Sequence, residues 1–159
     1  MPVPADVESI LSALAEMPAH VAAAASGLDD RAARTPPAAG GFSLVEQAWH
    51  LADLEREGYG ERIRRLLAEV DPVLPDFDGA RVAAERDYRS KSLPEGLAAF
   101  AAARAANLAV LRGLPPAAWD RGGRQDGVGR VTLRDLPRMM SEHDLGHRQE
   151  IATLLRMDT

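Results

Sequence analysis

Four stretches of this chain repeat apolar residues at steps of three and four, and clusters of proline and glycine separate them. That spacing places the apolar side chains along one helical face, which must be buried against other helices. The pattern therefore predicts an all-α protein, a four-helix bundle. No stretch alternates convincingly as a strand, and no unit recurs at the period of about 20 to 50 residues that marks a solenoid. With 159 residues the chain suits one domain, 1–159. Alanine is abundant and aromatic residues make up only 4%, a composition suited to closely approaching helices.

The first helix is predicted to begin after Pro4, carrying Val7, Ile10, Leu11, Leu14, Val21 and Ala25, with Pro18 kinking or breaking it. A loop over 34–41, with Pro36, Pro37, Gly40 and Gly41, leads to Ser43 and Glu46, which are spaced as a capping box. The second helix then runs from Leu44 to about Val70, where Asp71 and Pro72 stop it, and Gly58 and Gly60 loosen its middle. A long crossover over 72–92, with a short helix near 81–88, separates it from a third helix that Pro94 opens and that ends near Arg112. The third helix's buried stripe reads Leu97, Phe100, Ala101, Leu108 and Leu111. The glycines and prolines between Gly113 and Val131 predict a loop or a small turn of extended chain. Thr132 and Asp135 form a second capping signature before a last helix reaching Met157, with Pro137 on its early turns.

With 19 basic and 24 acidic side chains and no long block of either, the net charge of −5 argues against nucleic acid or an anionic membrane as partner. The absence of cysteine excludes a disulfide framework and any thiolate of the protein's own. The first residues lack the basic start and apolar core of a signal peptide, and no stretch reaches membrane-spanning length, so the expected location is cytoplasmic.

The stripe of the last helix reads Leu133, Leu136, Met140, His143, His147, Ile151 and Leu154, with two histidines at core positions. Residues four apart stand one turn above another, so His143 and His147 are spaced to share a metal ion or to be polar core residues. His50 on the second helix is the natural third ligand. Helical projection nevertheless sets it nearer Glu46, Asp53 and Glu57 than the apolar stripe, which reads as a rim position. His20 reads as structural or solvent-exposed. Glu46, Asp53, Glu142, Asp144 and Glu150 read first as solvated helix charges, Glu46 also as the capping residue. The alternative is that they orient imidazoles, or that Glu46 or Asp53 acts as a base; no catalytic residue is assigned. Trp49 and Trp119 read as packing anchors.

The run 41–55, Gly-Phe-Ser-Leu-Val-Glu-Gln-Ala-Trp-His-Leu-Ala-Asp-Leu-Glu, and the run 141–147, Ser-Glu-His-Asp-Leu-Gly-His, resemble the DinB-like (YfiT-like) superfamily of metal-dependent proteins. Residues 84–88 in the crossover, the alanine-rich third helix and residues 129–136 agree, so the resemblance covers nearly the whole chain. It implies a four-helix bundle, often a homodimer, that binds a divalent metal, zinc first and nickel next, through His50, His143 and His147. The expected activity is a hydrolase or a transferase using a low-molecular-weight thiol cosubstrate on a small-molecule substrate, and the alternative is a non-catalytic metal- or ligand-binding bundle. Gly146 departs from the pattern, and is expected to widen the site or weaken that turn.

Overall fold

In the computed structural model, which describes residues 3–157, Pro4 caps the first helix, α1 (Ala5–Ser26). Proline fits there because the first helical N–H groups have no partner within the helix. The helix continues unbroken through Pro18, contrary to the expectation of a break. A proline at that position removes the donor for the carbonyl four residues earlier, that of Leu14. The buried guanidinium of Arg104 supplies it instead, with Nη1 2.9 Å from the Leu14 oxygen.

After a short α2 (Asp30–Ala33), Ser43 and Glu46 close the capping box that their spacing predicts. The second long helix is built of α3 (Leu44–Asp53), one π-helical turn (Leu54–Tyr59) and α4 (Gly60–Ala68). A π turn inserts a residue and disturbs the backbone ladder. Here Asn107 Nδ2 donates to the Glu55 carbonyl at 2.8 Å. A Cβ at Gly60 would stand 2.9 Å from that same carbonyl oxygen, so the wide turn needs glycine there. The expected loosening near Gly58 and Gly60 is thus a defined change of helical pitch.

The crossover carries β1 (Val73–Leu74), α5 (Gly79–Glu85) and a 3-10 turn (Tyr88–Ser90). Then come α6 (Leu93–Arg112), a 3-10 turn (Pro116–Asp120), the strands β2 (Gly122–Gln125) and β3 (Gly129–Thr132), and α7 (Asp135–Met157). The three strands form one small sheet beside the bundle, and β2 and β3 fall where a loop or a small turn of extended chain is expected. β2 pairs antiparallel with β3 and parallel with β1, through registers such as Gly123 with Val131 and Val73 with Arg124. Gly127 and Gly129, at φ of 79° and 101°, make the tight reversal between them. Thr132 and Asp135 form the second reciprocal cap, Asp135 N–H donating to Thr132 Oγ1 and Thr132 N–H to Asp135 Oδ2.

The four long helices form the bundle, and its core divides into two apolar clusters. One gathers Leu14, Leu66, Leu111, Trp119, Leu136 and Met140; the other gathers Met17, Leu44, Leu51, Phe100 and Ile151. At their junction lies a charged layer. Arg104, 2% exposed, holds Asp144 at 2.8 Å and Glu55 at 3.0 Å, while Asn107 donates to Glu55 Oε2 at 2.9 Å. The buried register of α6 is therefore Gly96, Phe100, Arg104, Leu108 and Leu111, with Ala101 exposed. A buried cation of this kind persists only when paired and hydrogen-bonded. No helix among the described residues is long and apolar enough to cross a membrane.

Candidate metal centre

His50 comes from α3, and His143 and His147 from successive turns of α7. Each offers a ring nitrogen, and the three nitrogens lie within 4.8 Å of one another. Ring centroids are 4.5 Å apart for His143 and His147, 4.9 Å for His50 and His147, and 6.1 Å for His50 and His143. His20 is exposed on α1, outside the cluster.

The rim position that helical projection gave His50 is overturned, because the residue is only 7% exposed. The projection grouped the residues correctly but mistook what covers them. α5 and the following 3-10 turn lie over the polar face of α3, so Glu46, His50 and Asp53 are all buried. The His50 ring is bracketed by Phe42 at 5.2 Å and Phe77 at 6.1 Å. Gly79, the first residue of α5, closes over its edge: a Cβ there would fall 2.6 Å from Cε1 and 2.8 Å from Nδ1.

Burial favours neutral imidazole over imidazolium. It lowers the pKa of His50 to about 3, with the neighbouring His147 and His143 adding to the effect. His147 falls to about 4 through burial and then His143. His143 is lowered by burial, partly opposed by Asp144 and Glu150. Three imidazoles so placed hold their lone pairs free at neutral pH, the form a metal requires. Nδ1 of His50 is buried without a hydrogen-bond partner among the described residues. Such an atom carries an unrecovered desolvation cost.

The carboxylates divide differently from the expectation of solvated charges. Glu46 serves the capping box and accepts from Arg89. Asp53 accepts from Arg56 at 2.6 Å, from Arg86 at 2.9 Å and from the Tyr88 hydroxyl. Burial raises its pKa, but those three donors outweigh it and hold the carboxyl below its ordinary range. Asp144 belongs to the Arg104 layer, and Glu142 pairs with Arg138 at 3.1 Å. Only Glu150 reaches a histidine of the cluster, with Oε2 3.3 Å from His147 Nδ1.

Gln47 is an orienting residue, a role not assigned to it from the sequence. Its Oε1 lies 2.7 Å from His147 Nδ1, and its Nε2 donates to Glu150 at 2.5 Å. Its position three residues before His50, on the same helical face, is the signal that identifies it. Gly146 neither widens the site nor faces it, since a Cβ there would meet no atom within 4 Å.

Two cavities reach the cluster. One, of about 500 Å³, is lined by Pro37, Ala39, Phe42, Ala80, His147 and Glu150. The other, of about 310 Å³, is lined by His143 together with Tyr59, Arg62, Phe77 and Gln125.

Fold and site together define a four-helix bundle with a three-histidine cluster between its second and last long helices. The chain belongs to the DinB superfamily, whose sequence profile matches residues 13–151. It is 30% identical over 92 residues to a Geobacillus thermodenitrificans protein named "Putative metal-dependent hydrolase", a match covering 58% of this chain and 51% of that one. The chain thus matches about half the length of that relative. A Geobacillus kaustophilus protein of the same description is 25% identical over 150 residues, covering 94% of this chain and 84% of its own. Among solved structures, YfiT from Bacillus subtilis superposes with a TM-score of 0.87 at 23% identity, over 98% of this chain and 89% of that one. It is described as "a probable metal-dependent hydrolase with an unusual four-helix bundle topology".

Proposed function

We propose that this protein is a metal-dependent hydrolase of a small-molecule substrate, with a divalent ion, zinc first, held by His50, His143 and His147. The observation that carries this is the convergence of three neutral imidazoles, two buried and one half-buried, within 4.8 Å. Three imidazole ligands on a four-coordinate ion leave a position open, the arrangement of catalytic rather than structural sites. An ion in that set supplies a Lewis acid and brings the pKa of water toward neutrality.

The chain's own groups have separable roles in this reading. Gln47 accepts the Nδ1 proton of His147 and so directs the other ring nitrogen, Nε2, at the cluster. Glu150, at the wall of the larger cavity, is the carboxylate placed to accept a proton near the cluster. Phe42, Phe77 and Gly79 seal the His50 side against water.

The test is elemental analysis of tag-free protein purified without chelator, beside His50→Ala and His143→Ala. About one metal per chain, lost in both variants, supports the site. Ester and amide hydrolysis by the loaded protein, absent from the variants, then supports the reaction. Turnover that requires an added low-molecular-weight thiol moves the reading to thiol transfer. Protein that is metal-free and takes up neither zinc nor nickel ends it.

A further inference from the structure

The smaller cavity, beside His143, is lined by three largely buried polar side chains whose atoms no described residue fully engages. Arg62 is 5% exposed, and its Nε donates to the Pro75 carbonyl at 3.1 Å. Its Nη1 and Nη2 donate to no described residue, and its guanidinium lies 5.2 Å from the centroid of the Tyr59 ring. The Tyr59 side chain is also 5% exposed, and its hydroxyl has no described partner. Gln125, carried in by β2 and 7% exposed, has an Oε1 with no donor among the described residues. Two acidic residues line the same cavity but are exposed: Asp76, and Glu142, which Arg138 engages.

A guanidinium with both terminal nitrogens free is the group that recognises a carboxylate bidentately. An uncommitted carbonyl oxygen beside it calls for an N–H or O–H donor. The larger cavity, on the His147 side, is walled by Pro37, Ala39, Phe42 and Ala80 and suits an apolar group.

We propose that the smaller cavity is the subsite for the carboxylate end of the substrate, and that N-acylamino acids are the class that fits. The carboxylate accepts from Arg62 Nη1 and Nη2 and from the Tyr59 hydroxyl, and the amide N–H donates to Gln125 Oε1. The acyl chain then extends past the histidines toward Phe42. The placing of the amide at the histidines rests on the hydrolase reading above; recognition of the carboxylate does not.

The test titrates zinc-loaded, isotope-labelled full-length protein with two probes, hippurate (N-benzoylglycine) and N-methylbenzamide, which lacks the carboxylate. Hippurate is expected to bind about tenfold tighter. It should shift the Arg62 Nε–H and Gln125 side-chain amide resonances. Arg62→Met should abolish the preference, Arg62→Lys should retain part of it, and Gln125→Met should weaken both probes, which share the amide N–H, with zinc content and helical circular dichroism unchanged in each. Equal affinity for the two probes, a full preference surviving in folded Arg62→Met, or unchanged affinity for both probes in folded Gln125→Met would overturn the proposal. Metal-free protein with an Arg62-dependent preference would keep the subsite and remove the hydrolase. A zinc-loaded hydrolase without the preference would do the reverse.

Discussion

Nδ1 of His147 lies 2.7 Å from Oε1 of Gln47, across the seam between α3 and α7. Because Gln47 Nε2 donates to Glu150, its Oε1 is the accepting end, and the proton of His147 stands on Nδ1. Gln47→Leu keeps most of the volume and removes that restraint. Zinc affinity is expected to fall about 10- to 100-fold. Competition with a calibrated chelator measures it, and an unchanged constant would detach Gln47 from the site.

Gly79 makes a steric prediction. A methyl group there would overlap the His50 ring, with Cε1 only 2.6 Å away. Either the imidazole rotates out of the cluster or α5 lifts from α3. Gly79→Ala should lower zinc affinity and destabilise by about 1–3 kcal/mol. A variant with wild-type affinity and melting temperature would show that the contact yields without consequence.

Gly146 gives the opposite case. It lies in α7 between the two histidine turns, yet a Cβ there meets nothing. Gly146→Ala should stabilise by about 0.5–1 kcal/mol through helix propensity alone, with zinc affinity unchanged. Denaturant unfolding and the chelator titration measure the two quantities separately.

Periodicity and capping made the four long helices legible, because amphipathic faces and reciprocal caps are local signals. The pair His143 and His147 was legible for the same reason. His50 was legible through the family resemblance but not through periodicity, since its burial comes from α5, a segment about 30 residues later that a helical projection does not contain. Arg104 was missed because a stripe read by hydropathy passes over a charge, whereas its burial depends on Glu55, Asp144 and the Leu14 carbonyl, each remote in sequence. β2 and β3 were legible only as a loop or a small turn of extended chain, because they are rich in glycine and arginine and lack apolar alternation. Pairing and position, not hydrophobicity, define them.

The acid sensitivity of the metal-free protein follows from the histidines. The unfolded side chains protonate near 6.5, whereas His50 and His147 in the fold do so near 3 and 4. Below 6.5 the unfolded state binds more protons, so stability is fully present above that pH and declines as the pH falls toward the folded values. Between pH 7 and pH 5 each of the two should cost about 2 kcal/mol. Asp53, whose pKa is lowered from 3.8, titrates beneath that window. Urea unfolding across it should show the slope in the wild type, and His50→Gln with His147→Gln should flatten it.

The charged layer beside the site is open to a double-mutant cycle. Arg104→Met leaves Glu55 and Asp144 buried without their cation and the Leu14 carbonyl without its donor, an expected loss of about 3–5 kcal/mol. Pro18→Ala returns a backbone N–H to that carbonyl. It should therefore stabilise the Arg104→Met protein by about 1 kcal/mol more than it stabilises the wild type. Additive effects would mean that Arg104 does not compensate Pro18. Asp144 stands between His143 and His147 on α7, so Arg104→Met should also weaken zinc binding. Pro18→Ala repairs only α1 and should leave that second defect in place, which separates the support of α1 from the positioning of the histidines.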